Sequence, residues 1–213
     1  MNIWHICSAI ITAYLLGSIP SAIWYGEAYF GIDVRKFGSG NAGATNTFRV
    51  LGKRAGTIVL LIDVLKGWTA TKLASILFFL EVIEPAQVLT FKLILGFAAV
   101  LGHLYPIFVR FKGGKGVATS LGMILAIDPQ VASVCIAIFV LVFLVSHYVS
   151  LSSIVAAFAF PMMLVLGIFG KASTLLIVFG FLLFAIVVLT HQKNIVRLLN
   201  GNESRVSLWR RRK

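Results

Sequence analysis

The stretch Ala172–Thr190, ASTLLIVFGFLLFAIVVLT, contains no charged residue and no proline. A helix rises about 1.5 Å per residue and needs roughly 20 apolar residues to cross the hydrocarbon core of a bilayer, so this run reads as a membrane span. Six more apolar runs precede it, at about Ile3–Tyr25, Thr57–Leu80, Val88–Val109, Val117–Ile127, Val131–Tyr148 and Ile154–Phe169. The whole chain follows suit. Of its 213 residues 59% are hydrophobic and 12% are charged, about half the charged share of an average soluble domain. The fold class expected is an all-α integral membrane protein, residues 1–213 forming one multi-pass domain with about seven transmembrane helices. Val117–Ile127 is short for a full span; if two short segments are re-entrant, the count becomes five.

The formal net charge of +12 raises the question of nucleic acid. Fifteen of the 19 Lys and Arg fall in segments 26–56, 110–116 and 191–213, which are candidates for cytoplasmic loops by the positive-inside bias. No soluble basic face with aromatic or helical readers accompanies them, so no nucleic-acid partner is expected. The breaks at Glu81–Gln87 and Asp128–Gln130 carry acids and no base, which suits the outer face. The expected topology has the N-terminus outside and the C-terminus in the cytoplasm. The first run lacks a basic n-region and a small-residue cleavage site, and reads as a retained span. Cys7 and Cys135 lie inside apolar runs and read as small hydrophobes.

Charges inside apolar runs are costly unless paired, snorkelling or facing water. Asp63 and Lys66 are three apart and share a helix face, as a structural ion pair or as a direct substrate contact. Lys72 and Lys92 sit nearer helix ends, where they can snorkel. His5 and His147 lie near span termini and read as interfacial.

Three polar clusters carry the chemistry. The first is Gly38-Ser39-Gly40-Asn41-Ala42-Gly43-Ala44-Thr45-Asn46-Thr47-Phe48-Arg49. It matches G-x-G-x-x-G, but it follows a membrane helix and has no parallel-sheet pattern around it, so a dinucleotide site is excluded. Its small residues let a backbone approach an anion, and Ser39, Asn41, Thr45 and Asn46 offer hydrogen bonds. Arg49 adds a planar fork suited to phosphate oxygens. The second cluster runs from Gly102-His103-Leu104-Tyr105-Pro106 to Lys112-Gly113-Gly114-Lys115-Gly116 and opens directly into an apolar helix. Helix N-termini favour anions through the dipole and unpaired N–H groups, so phosphate binding is expected here too. The third is His191-Gln192-Lys193-Asn194-Ile195-Val196-Arg197, followed by Glu203. If the last helix continues, His191, Asn194 and Arg197 recur on one side.

Taken together, GSGNAGATNTFR, GHLYPIFVRFKGGKGVAT and HQKNIVRLLNGNE resemble the PlsY family of bacterial integral membrane acyl-phosphate:glycerol-3-phosphate acyltransferases. The likeness extends from the first span to the tail. It implies transfer of a fatty acyl group from acyl phosphate to the 1-hydroxyl of sn-glycerol 3-phosphate, giving lysophosphatidic acid and phosphate, the first step of phospholipid synthesis. It implies an enzyme of the cytoplasmic (inner) membrane with its site facing the cytoplasm, working as a monomer without a cofactor or a metal. Carried over through the motifs, the catalytic residues are Ser39, Arg49, Lys115, His191 and Asn194. The substrate-binding positions are Gly38, Gly40, Asn41, Gly43, Thr45, Asn46, Lys112, Gly113, Gly114 and Gly116. Glu203 reads as structural.

Both substrates bring phosphate and the donor already holds a good leaving group, so the enzyme's task is mainly to neutralise and align them. The attacking hydroxyl loses its proton either to His191 or to a substrate phosphate oxygen, and the second route is favoured. Two rivals are weaker: a small-anion transporter expects polar groups at the bilayer midplane, and a lipid phosphotransferase expects clustered carboxylates around a divalent metal.

Overall fold

The computed structural model describes residues 3–206, so Arg210–Lys213, counted above among the basic tail, lie outside the described residues. Among the described residues there are ten α-helices, three short 3-10 turns and no strand. They are α1 (Ile3–Ser18), α2 (Ser21–Phe30), α3 (Ala44–Leu51), α4 (Lys53–Phe79), α5 (Val88–Leu104), α6 (Val117–Ile127), α7 (Pro129–Ser146), α8 (Val149–Leu166), α9 (Thr174–Thr190) and α10 (Gln192–Leu199). Each of the seven apolar runs becomes helical.

Fewer of them are full spans than the seven expected. Three helical segments are long and apolar enough to cross a membrane, and five when each bent pair, α1 with α2 and α9 with α10, counts as one span. The reasons are local. α4 is 27 residues long, but Asp63, Lys66 and Lys72 interrupt its apolar course, and α6 has only 11 residues. The smaller count matches the alternative of five.

The run Ile3–Tyr25 was read as continuous, yet the chain bends by 44° between α1 and α2. Pro20 has no N–H to continue the helical ladder. A break at this depth frees backbone carbonyls that lipid cannot satisfy, and the ammonium of Lys66 donates to the Ile19 carbonyl at 2.9 Å.

The chain divides into two compact units, one ending at Pro129 and the other beginning at Gln130. In the first, α4 packs on α1, α5 and α6, and α1 also lies along α5. Small residues bring these backbones together. A Cβ on Gly17 would collide with the Ala99 carbonyl of α5, and one on Gly102 with the Tyr14 carbonyl of α1. Close approach of this kind is how helices gain dispersion contacts where lipid supplies no hydrophobic drive. In the second unit α8 packs on α9, with Phe158 and Phe184 rings 5.2 Å apart, and the short α10 rests on both helices. Apolar side chains such as Leu65, Val145 and Val178 remain more than half exposed, as lipid-facing helices require.

Candidate active site

In the first unit the segment from Asp33 to Arg49 folds around one amide. Asp33 starts it: its carboxylate accepts from the Arg35 backbone N–H at 2.9 Å and pairs with the guanidinium at 2.8 Å. The hydrogen bond from Arg35 holds the Asp33 carboxyl below its ordinary range. Asn46, fully buried, then clamps the turn. Its Nδ2 donates to the carbonyls of Val34 and Phe37 at 2.8 and 3.1 Å, and its Oδ1 accepts from the Ser39 N–H and hydroxyl at 2.8 and 3.1 Å. Gly38 follows at φ +62°, and a Cβ there would strike the same Oδ1. Asn46, expected among the substrate ligands, therefore has its amide committed to shaping the loop. Ser39, Thr45 and Arg49 remain exposed along one loop and the first turns of α3, with Asn41 half-buried.

The second loop turns back on the end of α5. The N–H groups of Gly113 and Gly114 donate to the carbonyls of Leu104 and His103, both at 3.2 Å. Those two donors were expected to meet phosphate and are instead used within the protein. The loop also carries the half-buried Lys115, with Lys112 exposed beside it, and leads into the start of α6. Gly116 is the N-cap of that helix at φ +80°, and the first N–H groups of a helix have no partner inside it. The two glycine loops meet: the Ala42 carbonyl lies 3.2 Å from where a Cβ of Gly114 would sit.

Beneath them is a polar cluster that sequence reading saw only in part. Asp63 and Lys66 form the ion pair expected of them, at 2.9 Å, with side chains 1% and 4% exposed. Ser21 donates to Asp63 Oδ1 at 2.7 Å, and Nδ1 of the buried His103 lies 3.5 Å from the same oxygen. His103 stands inside a motif quoted above but was given no role. Its acid partner is forty positions away in sequence, and only the packing of α4 on α5 joins them.

In the second unit His191 sits at the 64° bend between α9 and α10. The last helix therefore does not continue straight; the short α10 that follows starts from His191 as its N-cap and carries Asn194 and Arg197 three and six positions on. Arg197 pairs with Glu203 at 2.8 Å. His191 is 3% exposed, with Nδ1 2.7 Å from the Val187 carbonyl. A carbonyl only accepts, so Nδ1 carries the proton and Nε2 is the acceptor atom of the ring. Glu203 organises the surroundings. Its Oε1 accepts from Asn194 at 2.6 Å and from Ser150 at 2.9 Å, joining α8 to α10.

Burial pushes the Glu203 carboxyl upward, but the hydrogen bonds from Asn194, Arg197 and Ser150 outweigh it, so its pKa is lowered. A carboxyl depressed by folding adds stability above its unfolded pKa and loses that contribution as pH falls through the folded value. Glu203→Gln is expected to cost about 2 kcal/mol at neutral pH. In thermal unfolding across pH, the gap between wild type and variant should narrow as pH falls below the ordinary carboxylate range and through the lowered folded value; a gap that is independent of pH would contradict the assignment.

A sequence model described as Glycerol-3-phosphate acyltransferase matches residues 7–201. The glycerol-3-phosphate acyltransferase of Salinibacter ruber (strain DSM 13855 / M31) is 44% identical over 216 residues, covering 96% of this chain and 93% of that protein. That of Enterococcus faecalis (strain ATCC 700802 / V583) is 45% identical over 210 residues with the same coverage. Among solved structures, PlsY (YgiH), an integral membrane glycerol 3-phosphate acyltransferase, matches in its glycerol 3-phosphate form with a TM-score of 0.79 and 39% identity, over 95% of this chain and 96% of that one. Its lysophosphatidic acid form matches with a TM-score of 0.77 and 37% identity, over 95% of both chains. With helices, loops and relatives in agreement from the first span to Gly201, the chain belongs to the glycerol-3-phosphate acyltransferase family.

Proposed function

We propose that this protein is a membrane acyltransferase that moves a fatty acyl group from acyl phosphate to the 1-hydroxyl of sn-glycerol 3-phosphate, the first step of phospholipid synthesis. The observation that carries the reading is the whole-length likeness to a protein solved in both a glycerol 3-phosphate and a lysophosphatidic acid form. The hydroxyl oxygen attacks the acyl carbonyl carbon, the carbon–oxygen bond to phosphate breaks, and phosphate leaves with the electron pair. The hydroxyl proton ends on a phosphate oxygen. Charge develops on phosphate throughout, and Arg49 and Lys115 are placed in the role of neutralising it. Ser39 turns its hydroxyl from Asn46 Oδ1, to which it donates at 3.1 Å, to a substrate oxygen, while His191 and Asn194 orient glycerol 3-phosphate. Lys112, Asn41 and Thr45 add polar contacts at the rim, and Gly38, Gly40, Gly43, Gly113, Gly114 and Gly116 shape the backbone that bears them.

The basic loops belong on the cytoplasmic side of the inner membrane by the positive-inside bias, so the N-terminus is outside and glycerol 3-phosphate enters from the cytoplasm. The monomer that the family resemblance implies is part of the same proposal. Purified protein in lipid should form lysophosphatidic acid from acyl phosphate with a chelator present, because basic side chains supply the charge stabilisation. Product formed only from acyl-CoA, or activity abolished by the chelator, would overturn the donor or the metal-free assignment respectively.

A further inference from the structure

Gly113 and Gly114 are held from below by the end of α5, the Gly113 N–H by the Leu104 carbonyl and Gly114 by His103. The carbonyl of His103 accepts the Gly114 N–H at 3.2 Å. Its ring stands under the same glycine, so close that a Cβ on Gly114 would collide with Nε2, and a Cβ on Gly113 would collide with the His103 carbonyl. The other edge of the ring faces Asp63, with Nδ1 3.5 Å from Oδ1. That oxygen is held in turn by Lys66 at 2.9 Å and Ser21 at 2.7 Å. His103 is 6% exposed, so the ring has no alternative position in solvent. Across Gly114 lies the Ala42 carbonyl of the first glycine loop. The imidazole is thus a spacer between a buried ionic cluster and the turn that carries Lys115.

We infer that His103 is a positioning residue for the acyl-transfer reaction: braced against Asp63, it sets the height of the Gly113–Gly114 turn and so the place of the Lys115 ammonium that meets substrate phosphate. This rests on the acyltransferase assignment. It makes Gly114 necessary for a steric reason, since its N–H is already used and only a residue without a side chain fits over the ring. It also makes the ring's distal edge, rather than its charge, the part that matters.

Three variants separate this role from plain fold support: His103→Asn, which keeps an amide facing Asp63 and removes the distal edge of the ring, Gly114→Ala, and the two combined. Two readouts are taken in the full-length protein in lipid. One is hydrogen exchange of the amides of residues 113–116. The other is KM and kcat for acyl transfer.

In His103→Asn the amides of Gly113 and Gly114 should exchange at least about tenfold faster than in wild type, while those of α8 and α9 are unchanged. KM for a phosphate substrate should rise about tenfold, with kcat held within about threefold, the pattern of a displaced binding group. Gly114→Ala should reproduce both effects by collision. The double variant should be no worse than the worse single one, because removing the distal edge makes room for the methyl group.

Wild-type exchange in the loop of His103→Asn, or single-variant effects that multiply in the double, would overturn the inference. So would a lowered thermal midpoint with unchanged KM. The exchange arm needs no turnover. If wild-type protein transfers no acyl group, the enzymatic assignment fails while the exchange result still decides whether His103 sets the turn.

Discussion

Lys66→Met is expected to cost the fold about 3–5 kcal/mol, because removing one member of a buried ion pair strands the other charge. For a chain of this size that corresponds to a fall in thermal midpoint of roughly 10 °C or more. Two losses combine at this position. Asp63, 1% exposed, loses its cation, and the Ile19 carbonyl at the α1–α2 bend loses the donor that reaches it from Lys66. Asp63→Asn together with Lys66→Met removes both charges, leaves an amide for the Ser21 hydroxyl, and should recover more than half of the deficit. Unfolding in a fixed detergent, followed by intrinsic fluorescence, measures wild type, the two single variants and the double variant. A single-variant loss below about 1 kcal/mol would show that water reaches the pair, and a double variant equal to the sum of its parts would show that the two charges are not coupled.

His191→Gln carries the largest expected change in activity. Because Nδ1 points at the Val187 carbonyl, the ring's acceptor is Nε2, the atom that would either take a proton from the glycerol hydroxyl or accept a hydrogen bond from it. A glutamine amide keeps the second capacity and lacks the first. With the proton passing to phosphate, the variant at saturating glycerol 3-phosphate should lose less than about 10²-fold in kcat while KM rises about tenfold. General bases contribute about 10² to 10⁴-fold, so a kcat loss of three orders of magnitude or more would assign His191 to proton abstraction. The pH profile alone does not discriminate, since substrate phosphate titrates in the same range as imidazole.

Hydropathy was enough to find the seven apolar runs that become helical, because the signal for a span is additive along the chain, but it gave no sign of the short polar helix α3 inside the first loop. Bends are not additive. The break at Pro20 depends on a single residue inside an apolar stretch and the turn at His191 on one just past the end of another, so the first span was drawn too straight and the 64° bend was not legible. The glycine loops were legible as loops, yet the uses of their polar atoms were not. Asn46 reads like any ligand-bearing asparagine until its four hydrogen bonds to Val34, Phe37 and Ser39 are seen. The N–H groups of Gly113 and Gly114 look available until α5 is folded beneath them. Asp63 and Lys66 were found as a pair because helical spacing links them. His103 was not joined to them, since no local period connects residues on different helices.

The contact between α1 and α5 also sets an order of events during synthesis. Gly17 meets Ala99, and Gly102 meets Tyr14, so the surface that α1 needs is encoded about 80 residues after α1 itself. At roughly 5–20 residues per second a ribosome takes on the order of 4–16 s to reach it. For that interval α1 must reside in the membrane without its final neighbour, and the Ile19 carbonyl without Lys66 for part of it. A first helix rich in residues such as Ile10, Ile11, Leu15 and Leu16 is suited to that delay, because lipid alone can hold it until its partner arrives.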